Sequence, residues 1–246
     1  MNKPLTLLGL WILFSIVPIN AQSTTGTRGL VKAPTARMFE DGTLSLGAAF
    51  IPPGYHKRLG KIVPNAGVNT FITVNLFPFM EVMFRYSHER NLPILPITQY
   101  FPDRMFTARF KLLNETEKRP AFVLGLQDVV AFFDTDAGEG ANSPNYSSSY
   151  IVATKNFKHK NFNIDISLGY GSNLGDIPAK EFKGLFGGVE ITTPYLEDTQ
   201  LLVDYDATYI NIGVQKQFFK NLHTMVSYYP NYQKVGWVLA YRYKIY

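Results

Sequence analysis

Apolar and polar residues alternate along most of the chain, from Thr43 to the C-terminus. In a β-strand, every second side chain lies on the same face, so this alternation predicts strands with one apolar and one polar face. The clearest case is 162–170, where Phe162, Ile164, Ile166, Leu168 and Tyr170 alternate with Asn163, Asp165, Ser167 and Gly169. The predicted strands centre on residues 44–50, 68–76, 80–87, 106–112, 122–127, 150–157, 162–170, 185–192, 201–206, 210–215, 222–228 and 235–245.

The lengths of the connections indicate how these strands are arranged. Short links at 76–79, 114–119, 158–161, 194–199 and 219–221 alternate with long links at 88–102, 132–148 and 172–183. Outer-membrane barrels have this pattern, with tight periplasmic turns and longer outer loops, and they contain an even number of strands. The link at Asp206-Ala207 is short where a long one is expected, so we predict a tight outer hairpin there. The sequence therefore predicts an all-β protein, an antiparallel transmembrane β-barrel of about twelve strands over residues 43–246.

The N-terminal residues differ from the strand pattern. Residues 1–21 have a short basic start at Lys3, an apolar stretch from Leu5 to Val17 and a small residue at Ala21, which predicts a secretory signal peptide. Residues 22–42 fit neither a signal peptide nor a strand. Gly29 and Gly42 permit positive φ and Pro34 fixes its own φ, which predicts a kinked arm at the periplasmic mouth or inside the lumen.

Composition agrees with a membrane barrel. Aromatic residues make up 15% of the chain and charged residues only 17%, against about 25% in ordinary soluble domains. The net charge of +5 is scattered rather than clustered, so no nucleic-acid partner is predicted. With no cysteine, the sequence has no disulfide, Cys-based metal site or Cys nucleophile, and we predict no cofactor. The aromatic C-terminal strand, ending in Tyr246, resembles the signal that the barrel-insertion machinery recognises.

Several motifs resemble one known family. Gly29-Leu-x-x-x-Pro34-Thr35-Ala36-Arg37, followed by Asp41-Gly42-x-Leu44, resembles the opening motif of the YjbH family, which is linked to bacterial exopolysaccharide and capsule production. Leu124-Gly-Leu-Gln-Asp128, Leu168-Gly-Tyr-Gly171 and Phe186-Gly-Gly-Val-Glu190 then follow in the family's order. The resemblance implies an outer-membrane β-barrel of a Gram-negative bacterium without known catalytic residues. Family members are often longer, with repeated barrel units, and some are lipoproteins, so this chain resembles a short single-barrel version.

Charged residues on the polar faces of the strands form the candidate functional set. We expect them to lie in the lumen, where unpaired burial is costly, and to form an ionic network or line a path for a polar solute. The arm residues Arg37 and Lys32 are candidate partners for the acidic members. The set comprises Arg85, Arg109, Lys111, Asp165, Glu190 and Asp204.

Three functions remain open from the sequence. The first is assistance in the export or surface assembly of an exopolysaccharide, with outer-membrane lipid, the polysaccharide and export-machinery proteins as partners. The second is a porin-like channel for small polar solutes. The third is a barrel enzyme acting on lipid or glycan, for which His223 near Ser227 on one strand is the candidate pair.

Overall fold

The computed structural model describes residues 21–55, 57–58, 61–62, 66–90, 100–129 and 146–246. Twelve strands close into an antiparallel barrel, and two short strands form a separate hairpin. The predicted signal peptide lies outside the described residues, apart from Ala21. The strands are β1 Thr43–Ile51, β2 Lys57–Arg58, β3 Lys61–Ile62, β4 Gly67–Phe77, β5 Met80–Arg90, β6 Tyr100–Leu113, β7 Ala121–Gln127, β8 Ser148–His159, β9 Phe162–Ser172, β10 Gly184–Thr192, β11 Thr199–Tyr205, β12 Ile210–Phe218, β13 Leu222–Tyr229 and β14 Lys234–Lys244.

The barrel closes because the first and last strands pair with each other. On one side of β1, Thr43 is opposite Lys244 of β14, and on the other side Leu44 is opposite Val74 of β4. Every barrel strand therefore has two neighbours, and the barrel sheet has no unpaired edge. The predicted all-β class and the count of twelve barrel strands are confirmed. The hairpin β2–β3 was not predicted, because its two-residue strands are too short to show an alternating pattern.

The two faces of the barrel are the reverse of those in a soluble protein. In β5, Glu81, Met83, Arg85 and Ser87 point inward and are buried. Large apolar side chains point outward and are exposed, as Leu168 of β9 shows with an exposed fraction of 62%. The period-2 pattern therefore separates a polar interior from an apolar exterior.

The connections give the barrel a turn end and a loop end. At the turn end the links are 78–79, 114–120, 160–161, 193–198 and 219–221; at the loop end they are 52–66, 91–99, 128–147, 173–183, 206–209 and 230–233. The hairpin predicted at Asp206 is confirmed. Its Oδ1 accepts hydrogen bonds from the backbone N–H groups of Thr208 and Tyr209 at 3.0 and 2.8 Å. No helix among the described residues is long and apolar enough to cross a membrane.

Candidate functional site

The arm, residues 22–42, lies inside the barrel. Leu30 and Val31 at its centre are fully buried. Two glycines on the barrel wall make room for them. A Cβ on Gly188 of β10 would lie 2.7 Å from Leu30 Cδ1, and a Cβ on Gly213 of β12 would lie 2.7 Å from Val31 Cγ2. The arm therefore packs against the wall as a plug rather than resting at the mouth.

A tight turn shapes the middle of the arm. Gly29 is bridged to Pro34, and Leu30 N–H donates to the carbonyl of Ala33 at 2.9 Å. Gly29 is required for close approach rather than for positive φ, since a Cβ there would lie 2.9 Å from the Ala33 carbonyl oxygen. Gly42 does take a positive φ, of 71°, where the arm enters β1.

Arg109 of β6 connects the arm to one wall of the barrel. Its Nη1 lies 2.6 Å from Glu81 Oε1 and donates to the Arg28 carbonyl at 2.9 Å. Its Nη2 donates to the carbonyls of Thr35 and Arg37. Both Arg109 and Glu81 are completely buried. The Arg109 guanidinium therefore neutralises the buried Glu81 carboxylate and also donates hydrogen bonds to the backbone of the arm.

Arg37 connects the arm to β9 and to the turn between β6 and β7. Its Nε and Nη2 donate to the two oxygens of Asp165 at 2.7 and 2.8 Å, a bidentate pair. Its Nη1 lies 2.6 Å from Glu115 Oε2 in the β6–β7 turn. Burial raises the pKa of Glu115, but hydrogen bonds from Asn156 N–H and Arg37 outweigh it and hold that pKa below its usual value.

Asp204 of β11 binds the turn of the arm. Its Oδ2 accepts from the backbone N–H groups of Lys32 and Ala33 at 2.7 and 3.0 Å, and its Oδ1 accepts from Asn211 at 2.6 Å. The Lys32 side chain lies 3.3 Å from both Glu181 and Asp206. Burial lowers the pKa of Lys32, but these two carboxylates outweigh it and hold the pKa above its usual value.

The remaining arm residues of the family motif make structural contacts. Ala36 N–H donates to Thr154 Oγ1 at 2.7 Å, and Thr35 Oγ1 accepts from Arg37 N–H at 3.3 Å. Asp41 Oδ1 accepts from the Tyr246 hydroxyl at 3.1 Å. Gly42 N–H donates to the Asn75 carbonyl and the Gly42 carbonyl accepts from Ile245 N–H, so the end of the arm is bonded on both sides, to β4 and to the residue after β14.

Three members of the candidate lumen set lie apart from these ion pairs. The Arg85 guanidinium stacks over the Tyr146 ring at 4.1 Å, with no ion pair to a described residue. Glu190 is buried and accepts from Gln200 at 2.6 Å. Lys111 lies half-buried near the end of β6, and none of the ion pairs among described residues includes it.

Sequence reasoning missed several residues that hold the arm. Gln22 N–H donates to Gln215 Oε1 at 2.8 Å, and Gln22 Oε1 accepts from Ser45 at 2.8 Å and from Arg242. Gln215 and Arg242 occupy polar positions in the alternating pattern of their strands, so the sequence could have identified them as inward-facing. Glu181 gave no such signal, because it lies in the long 173–183 loop outside any alternating pattern.

The His223–Ser227 pair considered from the sequence is not formed. Ser227 Oγ donates to the Tyr229 hydroxyl at 3.0 Å, and His223 is buried with no partner for Nδ1 among the described residues. The two residues are four apart on one strand, about 13 Å along its axis. The two other described histidines are His88 in β5 and His159 in β8. The described residues contain no group of three or more His, Cys, Asp or Glu able to hold a metal ion.

Two open spaces flank the plug. Toward the loop end, a cavity of about 20 Å³ lies among Thr24, Thr25, Asn69 and Arg85. At the turn end, a groove of about 840 Å³ is lined by Arg37, Glu115, Lys155 and Lys158. Lys155 lies beside this groove and donates to the carbonyls of Thr116 and Glu117 in the 114–120 turn.

A family model and a curated relative both match this chain to the YjbH family. The model of the YjbH family, described as an exopolysaccharide biosynthesis protein, matches residues 21–177. A protein of Escherichia coli (strain K12) described as the uncharacterized lipoprotein YjbH is 25% identical over 219 residues, which cover 76% of this chain and 28% of that relative. Among solved structures, an outer membrane channel from Pseudomonas putida F1 is similar with 11% identity and a TM-score of 0.44, over 86% of this chain and 98% of that chain.

Proposed function

The chain belongs to the YjbH family, and on that premise we propose that it is a plugged outer-membrane β-barrel that assists export or surface assembly of an exopolysaccharide. The proposed role in exopolysaccharide export or assembly rests on membership of a family described by exopolysaccharide biosynthesis. The chain spans about 28% of the curated relative that it matches, so its share of any larger activity is part of the proposal.

The outer surface supports placement in a membrane. Outward positions along the strands hold large exposed apolar side chains, including Leu168 and Leu185. Soluble monomers rarely expose contiguous apolar areas above a few hundred Å². At the turn end, Phe79, Tyr195, Phe219 and Tyr246 are exposed, as expected for the aromatic girdle of a membrane barrel.

The plug supports an accessory role rather than a wide pore. A barrel of twelve strands has room for a lumen, but here the arm is bonded to strands on opposite sides through Arg109, Asp165 and Asp204. Polysaccharide or export-machinery proteins would meet this barrel at its mouths. The terminal aromatic strand β14 is suited to recognition by the barrel-insertion machinery.

Membrane location is tested by fractionation and heat-modifiable migration. We expect the protein in the outer-membrane fraction, with a faster-migrating folded form that shifts on boiling. Deletion of the gene should reduce surface polysaccharide, and the wild-type copy should restore it. Recovery only from the soluble periplasm would contradict the membrane placement, and unchanged polysaccharide would contradict the role in its export or assembly.

Conductance separates this proposal from the porin-like alternative. A barrel filled by its arm should give no steady open-pore current in a planar bilayer. A matched variant lacking residues 22–40 should conduct, since the lumen space taken by the arm is then freed. Steady large currents from the wild-type protein would favour the porin-like channel.

A further inference from the structure

The arm begins at a buried glutamine. Gln22 is 1% exposed, and in the described part of the chain it is the first residue with hydrogen bonds to the barrel wall. The carbonyl of Ala21, by contrast, is bonded within the N-terminal segment, to Gly29 N–H at 3.3 Å. The sequence predicts that a secretory signal peptide ends at Ala21. If the signal peptide is removed there, the α-amino group of Gln22 becomes the N-terminus and lies inside the barrel.

The described wall offers the backbone nitrogen of Gln22 a single acceptor. Gln22 N–H donates to Gln215 Oε1 at 2.8 Å. A chain of side chains orients that oxygen: Gln215 Nε2 donates to Gln200 at 3.2 Å, and Gln200 Nε2 donates to Glu190 at 2.6 Å. This position therefore suits a nitrogen with one N–H. A free α-ammonium group would bring three N–H donors and a positive charge.

The ionic group that contacts Gln22 is itself a cation. Nε and Nη2 of Arg242 lie 3.4 and 3.3 Å from Gln22 Oε1. The hydrogen-bond partners of Gln22 among the described residues include no carboxylate. An α-amino group has an ordinary pKa of about 8, so it is largely protonated at neutral pH. Its charge would then be buried beside a guanidinium that is only 8% exposed, which is unfavourable.

We propose that the mature chain begins at position 22 and that this glutamine is closed to pyroglutamate. The α-amino nitrogen attacks Cδ of the same side chain, the bond between Cδ and Nε2 breaks, and Nε2 takes up an amine proton and leaves as ammonia. The reaction needs no oxidant and no second substrate. The γ-lactam formed is neutral, and it retains Oε1 as a carbonyl oxygen and one N–H. The modification is independent of any action on a polysaccharide.

The lactam keeps the two groups that the barrel wall binds. Its N–H can donate to Gln215, and its carbonyl can accept from Ser45 Oγ, which lies 2.8 Å from Gln22 Oε1. The bond lost is the one from Nε2 to the carbonyl of Gly26. That carbonyl also accepts from Thr73 Oγ1 at 2.5 Å, so it keeps a partner. Cyclisation therefore removes a buried charge without leaving these partners unbonded.

Mass spectrometry of the exported, purified protein tests the proposal. Trypsin digestion of the denatured protein should release residues 22–28 as the N-terminal peptide, lighter than its linear form by one ammonia. The internal peptide 217–220 also begins with glutamine, once trypsin has cut after Lys216. It is the matched control, because its cyclised form arises only in the tube. We expect nearly complete cyclisation at Gln22 and only a small cyclised fraction at Gln217.

Three results would overturn the proposal: a free α-amine on Gln22, equal cyclised fractions in the two peptides, or a mature chain that begins at another residue. Pyroglutamyl aminopeptidase then tests the location. It should release residue 22 from the unfolded protein but not from the folded barrel, since Gln22 is buried. Release from the folded protein would overturn the placement of the lactam inside the lumen.

A Gln22→Asn variant tests what the closed amine does for the arm. Asparagine keeps an amide side chain, but its amine stays free because closure would form a strained β-lactam. We expect trypsin to cut the folded variant after Arg28 several-fold faster than the wild type at about pH 7. The difference should shrink at about pH 9, where the amine has lost its proton.

The wild type is the control for the other charges near this end of the arm. These charged and titratable groups, the same in both proteins, are Arg28, Glu81, Glu190, His223 and Arg242. The ratio of the two digestion rates therefore reports the amine alone. Equal rates at both pH values, or a difference that does not change with pH, would overturn the role of cyclisation in seating the arm.

Discussion

Arg37 and Asp165 form a bidentate ion pair inside the barrel, although 128 residues separate them in the sequence. Arg37 belongs to the arm and Asp165 to β9, so this pair joins the plug to the wall. Asn156 of β8 donates to the same carboxylate at 2.7 Å. The ion pair therefore reports directly on whether the plug is seated.

Substitution of Arg37 should loosen the plug. Arg37→Ala leaves Asp165 without its cation, whereas Glu115 keeps Lys155 at 3.1 Å. Breaking a buried pair costs about 3–5 kcal/mol. Because the Arg37 side chain is 20% exposed, we expect about 3 kcal/mol of unfolding free energy to be lost, measured by urea titration in lipid vesicles. Lys158→Ala, at an exposed position of the same groove, is the control and should change stability little. If the two variants are equally stable, the Arg37 side chain does not stabilise the position of the arm.

Removal of the Asp204 carboxylate should release the turn of the arm. Asp204→Ala leaves the N–H groups of Lys32 and Ala33 unpaired, at a cost of about 1–3 kcal/mol each. Lys32, Arg28 and Arg37 are tryptic sites that the folded barrel protects. We expect limited trypsin digestion to cut the arm of this variant at least several times faster than that of the wild type. Glu197→Ala, in an exposed turn, should digest like the wild type; equal rates for both variants would contradict the role of Asp204.

Asp128 should make the free energy of unfolding increase as the pH falls, which is the opposite of the usual effect of a carboxyl group. Burial raises its pKa from 3.8 to about 6, despite the hydrogen bond from Tyr146 N–H. A carboxyl group with a raised folded-state pKa binds its proton more tightly when folded, so stability from this group increases as pH falls from above 6 toward 3.8.

Asp128→Asn provides the test of that assignment. The residue has a φ of 61°, which asparagine tolerates, so the backbone should be preserved. The pKa difference of about two units predicts that the variant is roughly 2–3 kcal/mol more stable at pH 8 and about equal to the wild type below pH 4. Urea titrations at both pH values measure this. A stability difference that is the same at pH 8 and pH 4 would exclude the raised pKa.

Gly213 and Val31 should behave as a coupled pair. In Gly213→Ala, the new Cβ would lie 2.7 Å from Val31 Cγ2, whereas its next neighbour, Met225 Sδ, is at 3.4 Å. Overpacking of this kind costs about 1–3 kcal/mol. Val31→Ala removes the offending methyl, so the double variant should be more stable than the sum of the single changes predicts. Additive effects in this double-mutant cycle, again by urea titration, would show that the arm does not rest on Gly213.

The local rules of the sequence were sufficient for the fold. Period-2 alternation showed which residues of each strand share a face, and the link lengths indicated an outer-membrane barrel. They also predicted the turn at Asp206, where a side chain close in sequence caps the backbone. Such features depend on neighbours a few residues apart, which a sequence displays directly. The hairpin β2–β3 was missed because two residues cannot establish a period.

The sequence also identified most of the polar residues of the interior, but not which side chains pair with each other. Arg37 and Asp165 were both candidates, and their pairing depends on how β8, β9 and the arm are positioned by barrel closure. Lys111 has the right parity but lies near the mouth, outside the ion pairs. Asp128 follows β7 with positive φ, so parity counted along the strand does not apply to it.

The fold class, the faces of the strands and the family could be read from the sequence, because they follow from local periodicity and short motifs. The position of the arm in the lumen and its contacts with Glu181 and Gln215 follow only from the three-dimensional structure; Glu181 acts through Lys32 and Gln215 through Gln22. Each of these depends on side chains brought together from distant parts of the chain when the barrel closes. Closure is a property of all twelve strands together, and no single stretch of sequence contains it.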